Sequence, residues 1–349
     1  MRSSYHKDDV CLLLKDITGL VQPQPTDERE KLIQAGRHYC EMLPIEYVPT
    51  AEYMEAYHAA LEHYAKPTAR AVGNLADKIM QARGEKTALV SLARAGIPAG
   101  ILLKWYIRFK YGVDLPHYSV SIIRGKGIDD NAMQYLLKRH LPEQLLFVDG
   151  WIGKGAILKE LQKDMAAYRG VSPEIATLSD PANVTGLCGT HRDILIPSSC
   201  LNCTVSGLIS RTFLREDVIG KADFHGAVYY EEYRDMDLSY SFLHAIEAEF
   251  EKDCKTDDFF VEGFGYEEAW EVAREFQIDD INLVKPGIGE TTRVLLRRAP
   301  FKILLDKRYQ KDPSLAHILR LAEEKGVPVE FYPLKHYKAC GIIKKMTDL

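Results

Sequence analysis

The chain has 349 residues, of which 46% are hydrophobic, 27% charged and 10% aromatic, with a formal net charge of -5. Those proportions exclude a disordered, collagen-like or membrane-spanning protein as the overall description and leave room for two domains and a small appendage. The longest apolar stretch, residues 95–103, is broken by Pro98 and followed by Lys104, well short of the roughly 20 residues that span a bilayer. The N-terminus shows no apolar segment with a small-residue cleavage site, so the expectation is a soluble, cytoplasmic protein. Seven cysteines, at 11, 40, 188, 200, 203, 254 and 340, are odd in number and scattered, which favours reduced thiols.

Charge is unevenly spread. Residues 281–349 hold 14 Lys and Arg against 7 Asp and Glu, a local +7, whereas residues 1–280 hold 31 against 43, or -12. Such asymmetry suggests different partners for the two parts, with a polyanion for the basic tail; a solvated basic face is the alternative.

In chain order, an apolar run at 10–14 precedes the polar connector 22–27, and helices are expected at 28–42 and at 52–83, the latter interrupted near Pro67. Strand and helix then alternate. Strand 87–92 leads through the loop Ala93-Arg94-Ala95-Gly96 to a helix ending near Tyr111. Strand 118–123 leads through Arg124-Gly125-Lys126-Gly127 to helix 129–140, and strand 145–148 through Asp149 to Gly155 to helix 156–165. Repeated units of this kind imply a parallel sheet covered on both faces, with ligands at the carboxyl ends of the strands. All three loops carry glycine and charge. A strand at 174–178, a cysteine-bearing stretch at 187–211, a strand at 227–230, a helix at 238–251 and an acidic, Phe-rich segment at 253–269 follow. The basic tail reads as helix 290–298, strand 302–305, helix 314–325 and strand 329–332.

In 145–156 an apolar strand delivers Asp149, and a glycine-rich turn opens a helix whose free N–H groups can cradle an anion. The spacing of Gly150 and Gly153-Lys154 fits neither a Walker A loop nor GxGxxG. It resembles the phosphoribosyl diphosphate loop of type I phosphoribosyltransferases. That resemblance implies that Asp149 contacts ribose hydroxyls and that Gly153, Lys154 and Gly155 hold the 5-phosphate. Arg94, Ala95 and Gly96, with Arg124 and Lys126, would meet diphosphate and Mg2+. Gly150 replaces the family's second acid, and a Thr-rich turn is missing.

Cys188-Gly-Thr-His191 and Cys200-Leu-Asn-Cys203 could supply four zinc ligands. Cys200 could instead act as a nucleophile with His191 or His225 as base, and buried inert thiols are the third reading. Cys200 and Asn202 could also line the acceptor side of the main pocket.

The strings at 90–96, 147–155, 199–211, 224–226 and 285–293 resemble the StiP-like proteins encoded beside tellurium-resistance stress genes of bacteria. Descriptions of that family differ, one naming a cysteine protease and another a phosphoribosyltransferase-like domain linked to nucleoside-like metabolites. Gly289-Glu290-Thr291-Thr292-Arg293, then Arg297-Arg298, a strand ending in Asp306, a helix and Gly326-Val327-Pro328 resemble kink-turn-binding ribosomal proteins and the pelota C-terminal domain. That likeness implies RNA contact through Gly289, Glu290, Thr292, Arg293 and Arg297.

The combined expectation is an α/β protein in three parts: a helical extension over 1–85, a phosphoribosyltransferase-like parallel-sheet domain over 86–280 and a pelota-type α/β/α RNA-binding domain over 281–349. Its activity would be transfer from phosphoribosyl diphosphate or a nucleotide-like substrate with Mg2+. A cysteine hydrolase at Cys200 and a non-enzymatic RNA-binding scaffold are the alternatives.

Overall fold

The computed structural model describes residues 1–254 and 259–345. Six strands form a sheet: β1 (Cys11–Leu12), β2 (Ala88–Leu92), β3 (His117–Val120), β4 (Leu145–Trp151), β5 (Ile175–Ser179) and β6 (Cys188–Thr190). Their order is β1-β3-β2-β4-β5-β6, and every pairing is parallel. All five residues of β2 are buried, as expected for a strand covered on both sides. Alternate side chains divide between the faces. After the short α1 (Thr26–Gln34), helices α2 (Ala51–Arg83), α3 (Gly96–Tyr111) and α6 (Ser239–Glu247) join one cluster with Leu89, Leu146 and Val148. Ala88, Val90, Leu145 and Phe147 join another with α4 (Asp130–Leu137) and α5 (Ala156–Met165).

The chain is a mixed α/β protein with a parallel sheet, a helical N-terminal region and a small C-terminal unit. The last of these contains α7 (Gly265–Glu275), α8 (Ile288–Arg297), α9 (Ala316–Glu324) and a four-stranded sheet. Its strands are β7 (Val284–Pro286), β8 (Pro300–Leu305), β9 (Val329–Phe331) and β10 (Ala339–Ile343), in the order β7-β10-β8-β9. β8 and β9 pair in parallel and the other pairs are antiparallel.

Three features differ from the sequence expectation. The N-terminal region is not an appendage, because Cys11–Leu12 forms an edge of the main sheet and α2 buries Val72, Leu75, Ala76 and Ile79 in its core. α2 also runs unbroken through Pro67; the buried residues on either side, Ala65, Thr68, Ala69 and Val72, hold the helix although proline removes one backbone donor. Finally, the C-terminal unit begins before residue 281, since Ala269, Val272 and Ala273 of α7 share a core with Val284, Leu304, Cys340 and Ile342. Part of the acidic segment expected at 253–269, residues 255–258, lies outside the described residues. Among the described residues no helix is long and apolar enough to cross a membrane.

The two units share buried surface. Ile288 and Leu295 of α8, Ile303 of β8 and Ile318 and Leu321 of α9 belong to the same apolar cluster as α2 and α3. Polar contacts at its edge join Tyr47 Oη and Thr50 Oγ1 to the Glu324 carboxylate at 3.0 and 2.9 Å, and Arg298 to Glu30 at 2.7 Å.

Close approach of α3 to the sheet depends on glycine. A Cβ on Gly100 would lie 2.2 Å from both His117 Nε2 and Ser91 Oγ, which are themselves 2.7 Å apart. Gly100→Ala is therefore expected to destabilise the protein by about 1–3 kcal/mol through overpacking, read as a lower urea midpoint; an unchanged midpoint would show that α3 can move away from the sheet freely.

Candidate functional site

The sheet has a topological switch between β2 and β4: the chain leaves β2 for β3 on one side and returns to β4 on the other. A crevice outside the carboxyl ends of two such strands is where open α/β sheets take ligands. Here it holds a cavity of about 320 Å³, walled by the loops after β2 and β4 and by Arg124, and roofed by Lys285, Glu290, Arg293, Arg297 and Arg298 of the C-terminal unit.

The structure brings most of the sequence-predicted loop residues to this cavity but aims several of them elsewhere. Asp149 lines it, with Oδ1 accepting the Gly150 N–H at 2.8 Å. Burial pushes its carboxyl up to about 6 against the opposing pull of Arg293 and that hydrogen bond. Lys154 does not offer its ammonium to a phosphate: Nζ donates to the Ile281 and Val284 carbonyl oxygens, the latter at 2.7 Å. Burial, with Lys285 nearby, pushes Lys154 down to about 7. Arg94 is turned away too, paired with Glu46 at 3.2 Å and donating to the Ile209 carbonyl at 2.5 Å. Ala95 remains in the wall, whereas Gly96 serves packing, since a Cβ there would meet the Val148 carbonyl oxygen at 2.4 Å. Arg124 reaches the roof through Asn282 Oδ1 at 2.6 Å. Lys126 is exposed and does not line the cavity. Gly153 is pressed against the roof, where a Cβ would lie 2.8 Å from Glu290 Cγ, and its carbonyl accepts from Tyr337 Oη at 2.6 Å. Gly155 supplies the left-handed turn before α5, with φ of +79°, a conformation that favours glycine.

The residues expected to face RNA point inward. Gly289 lies against Trp151, leaving no room for a side chain. Glu290 and Arg293 pair at 2.7 Å beside the cavity, with the Arg293 guanidinium 4.3 Å from the Trp151 ring centre. Thr292 is fully buried, Oγ1 lying 2.8 Å from both the Ile288 carbonyl oxygen and His317 Nε2. Arg297 donates to Asn202 Oδ1 at 2.7 Å, so Asn202 braces the roof.

Sequence reasoning missed three contributors to the cavity. Lys285 and Arg298 precede and follow the signature helix, and Arg211 closes the string 199–211, its guanidinium 4.4 Å from the Tyr39 ring centre. Burial, with neighbouring positive charge, lowers Lys285 to about 8 and Arg211 to about 10. The basic excess of residues 281–349 was the available signal, although it could not show that four of those cations turn inward.

The thiols sort clearly. Cys200 is fully buried, its carbonyl accepts from Tyr53 Oη at 2.6 Å, and burial drives its thiol far above the ordinary range. His225 does not serve it: Nδ1 lies 2.8 Å from Ser121 Oγ, its backbone N–H meets Asp129 Oδ2 at 2.5 Å, and burial lowers the imidazole. Nor do Cys188, His191, Cys200 and Cys203 converge as a zinc set, and no group of three or more His, Cys, Asp or Glu among the described residues could hold a metal ion.

Two cysteines do lie beside an imidazole. Cys40 Sγ is 2.9 Å from His38 Nδ1, but its thiol is pushed up to about 11 by burial, and the other imidazole nitrogen meets the Arg124 carbonyl oxygen at 3.0 Å, with no carboxylate bonded to it among the described residues. Cys188 Sγ, on β6, is 3.4 Å from His191 Nε2. Parallel pairing of Ser179 with Thr190 places Asp180 next to that histidine: His191 Nδ1 is 3.0 Å from the Asp180 carbonyl oxygen and 3.7 Å from Oδ2. Since the carbonyl can only accept, Nδ1 carries the proton and Nε2 is the unprotonated nitrogen, with the Cys188 sulfur over the ring, 3.4 Å from Nε2 and 3.7 Å from Nδ1. The Asp180 carboxylate is held by the Val184 and Thr185 amides at 2.7 and 2.8 Å, while burial raises its carboxyl.

Comparison with known proteins places the chain in a family. Residues 3–247 match the family described as "Tellurite-like stress resistance cysteine protease StiP", and residues 264–345 match "PELOTA RNA binding domain". The chain belongs to the StiP family. It is 32% identical over 98% of its length to "Cysteine protease StiP" of Acinetobacter baylyi, 94% of which is covered. No solved structure gives a significant match. These findings correct the expected phosphoribosyl transfer, for the family and the relative are both described as cysteine proteases. The diversion of Lys154 and Arg94 to protein partners agrees with the correction, and the likeness of the loops reflects what a doubly wound sheet places at its switch point.

Asp149 generates a pH prediction. Its folded-state value lies above the ordinary 3.8, so the folded chain binds the proton more tightly. The resulting stability is present in full below pH 4 and is lost as pH rises through 6. Between pH 4 and 7 the stability of Asp149→Asn relative to the parent is expected to rise by on the order of 1–3 kcal/mol, measured by urea unfolding at each pH; parallel curves would place the carboxylate in water.

Proposed function

We propose that the chain is a thiol-dependent hydrolase of peptide bonds, with Cys188 as nucleophile, His191 as base and Asp180 as the group that orients the imidazole. The observation that carries this reading is the Cys188–His191–Asp180 set, a thiol sulfur 3.4 Å from the unprotonated nitrogen of a histidine whose other nitrogen is fixed. The family description and the name of the Acinetobacter relative support the reaction class. His191 takes the Sγ proton as sulfur attacks the peptide carbonyl. The imidazolium then protonates the departing amine as the C–N bond breaks, and water attacks the thioester to release acid and thiol. Cys188 is buried and the His191 side chain is 21% exposed, so the carbonyl approaches from the imidazole side, near exposed Phe260, whose ring centre lies 6.3 Å from that of His191.

The test is hydrolysis of fluorescein-labelled casein, with iodoacetamide labelling mapped by mass spectrometry. Cys188→Ala is expected to lower the rate at least a hundredfold, whereas Cys200→Ala and Cys40→Ala change it less than threefold. Full activity in Cys188→Ala would overturn the assignment.

A second reading concerns the C-terminal unit. The match of residues 264–345 to an RNA-binding domain, with exposed Lys307, Lys311, Lys325 and Lys344, supports contact with RNA phosphates through the outer surface. Each lysine withdrawn from a phosphate is expected to reduce the log–log salt slope by about 0.7. Replacing these four lysines by Gln should flatten the slope in RNA anisotropy titrations; a chain that binds no RNA at 50 mM salt would refute it.

A further inference from the structure

The strand that presents Cys188 is gripped by one face of α2. Ala71, Asn74 and Lys78 follow one another at intervals of three and four residues, which aligns them along the helix, and all three meet β6. A Cβ on Gly189 would lie 2.3 Å from the Ala71 carbonyl oxygen, so the glycine lets helix and strand touch. Asn74 Nδ2 lies 3.4 Å from the Gly189 carbonyl oxygen, and Lys78 Nζ donates to the Cys188 carbonyl oxygen at 2.8 Å. No carboxylate pairs with Lys78 among the described residues; its neighbour Asp77 is taken by Lys110 at 2.8 Å. A half-buried positive charge therefore stands beside the thiol with only a neutral oxygen to answer it.

We infer that Lys78 is a positioning residue of the thiol site, fixing the Cys188 backbone and favouring the thiolate over the thiol. The inference rests on the peptidase reading of Cys188, His191 and Asp180. Covalent geometry keeps the carbonyl oxygen and Sγ of one residue within about 5 Å, which places the ammonium no more than about 8 Å from the sulfur. An opposite charge at that range in a partly buried setting is weakly screened, and it stabilises a thiolate. Burial works the other way. Cys188 is fully enclosed, and Cys200 shows that burial drives a thiol far above the ordinary range. The other charged groups about the sulfur have different tasks. When the proton leaves Sγ for His191 Nε2, 3.4 Å away, the Asp180 carboxylate, 3.7 Å from Nδ1, answers the imidazolium, and Lys78 answers the sulfur. Arg192, next along the chain, is turned onto the face of Phe259, 4.0 Å from its ring centre.

Titration of the Cys188 thiol tests this without any substrate, by following thiolate ultraviolet absorbance in the full chain as the difference between each protein and the same protein carrying Cys188→Ala. Lys78→Gln keeps a donor for the carbonyl but removes the charge, and Lys78→Arg keeps both. In Lys78→Gln the thiol is expected to titrate about one pH unit higher than in the parent, a roughly tenfold smaller thiolate fraction near neutrality. The rate of casein hydrolysis should fall by the same factor at pH 7 and recover as pH rises, and Lys78→Arg should restore both the titration and the rate. Urea midpoints separate the charge from the strut. Equal midpoints for the parent and Lys78→Gln with a displaced titration would support the inference, whereas coincident titrations, with or without a lowered midpoint, would overturn it. Full hydrolysis of casein by Cys188→Ala would remove the peptidase reading, while a displaced titration in Lys78→Gln would still show that the ammonium governs the charge of the thiol.

Discussion

The Asp193 carboxylate accepts the backbone N–H of Ile288 at 3.0 Å through Oδ1 and that of Lys338 at 2.9 Å through Oδ2, and these two bonds decide where α8 begins and how the C-terminal unit lies on the sheet. Asp193 follows β6 by three residues, whereas Ile288 and Lys338 are nearly a hundred residues or more away, so the clasp is purely tertiary. A buried carboxylate is costly unless its oxygens are satisfied, and burial indeed pushes this one up to about 6 against the pull of the two amides. Two charge-assisted bonds to backbone groups, one of them at a helix N-terminus, offset that cost and set a direction. With α8 fixed in this way, Arg293 and Arg297 project over the strand ends, Gly153 is pressed under Glu290, and Tyr337 reaches the turn after β4.

The main sheet was readable because its strands are covered on both sides. Ala88–Leu92, apolar but for Ser91, and Leu145–Val148, apolar throughout, stand out in the sequence, and the glycines and charges after them mark the carboxyl ends; α5 has the extent the periodicity gave, Ala156–Met165. Short strands escaped. Cys11–Leu12, Cys188–Thr190 and Val284–Pro286 are two or three residues long, too few for a period to register, and they are strands only because a longer neighbour supplies their partners. The same holds for the thiol pair: Cys188 and His191 were visible as a spaced couple, but the pairing of β5 with β6 is what brings Asp180 to the imidazole.

Side-chain direction was the other unreadable quantity. Lys154 follows a glycine turn at a helix start, the place for a phosphate-binding cation, yet its chain is long enough to reach the carbonyls of Ile281 and Val284 and serve as a strut for the roof. Arg94 finds Glu46 in the same way. Charge counts along the tail pointed to a polyanion and assumed an outer surface, whereas Lys285, Arg293, Arg297 and Arg298 line an inner one. The signature that resembles an RNA-contacting helix is thus used here for packing, Gly289 seating α8 against Trp151 of the main sheet and Thr292 tying α8 to His317 of α9.

Only one residue separates His191 from Asp193, and an extended chain of that length spans about 7 Å. The imidazole and the clasp that holds the roof are consequently links of one short tether: lifting the C-terminal unit by more than a bond length or two draws the ring away from Cys188, and seating it firmly returns the ring to its place. The position of the imidazole and the posture of the distal unit cannot vary independently in a molecule wired this way.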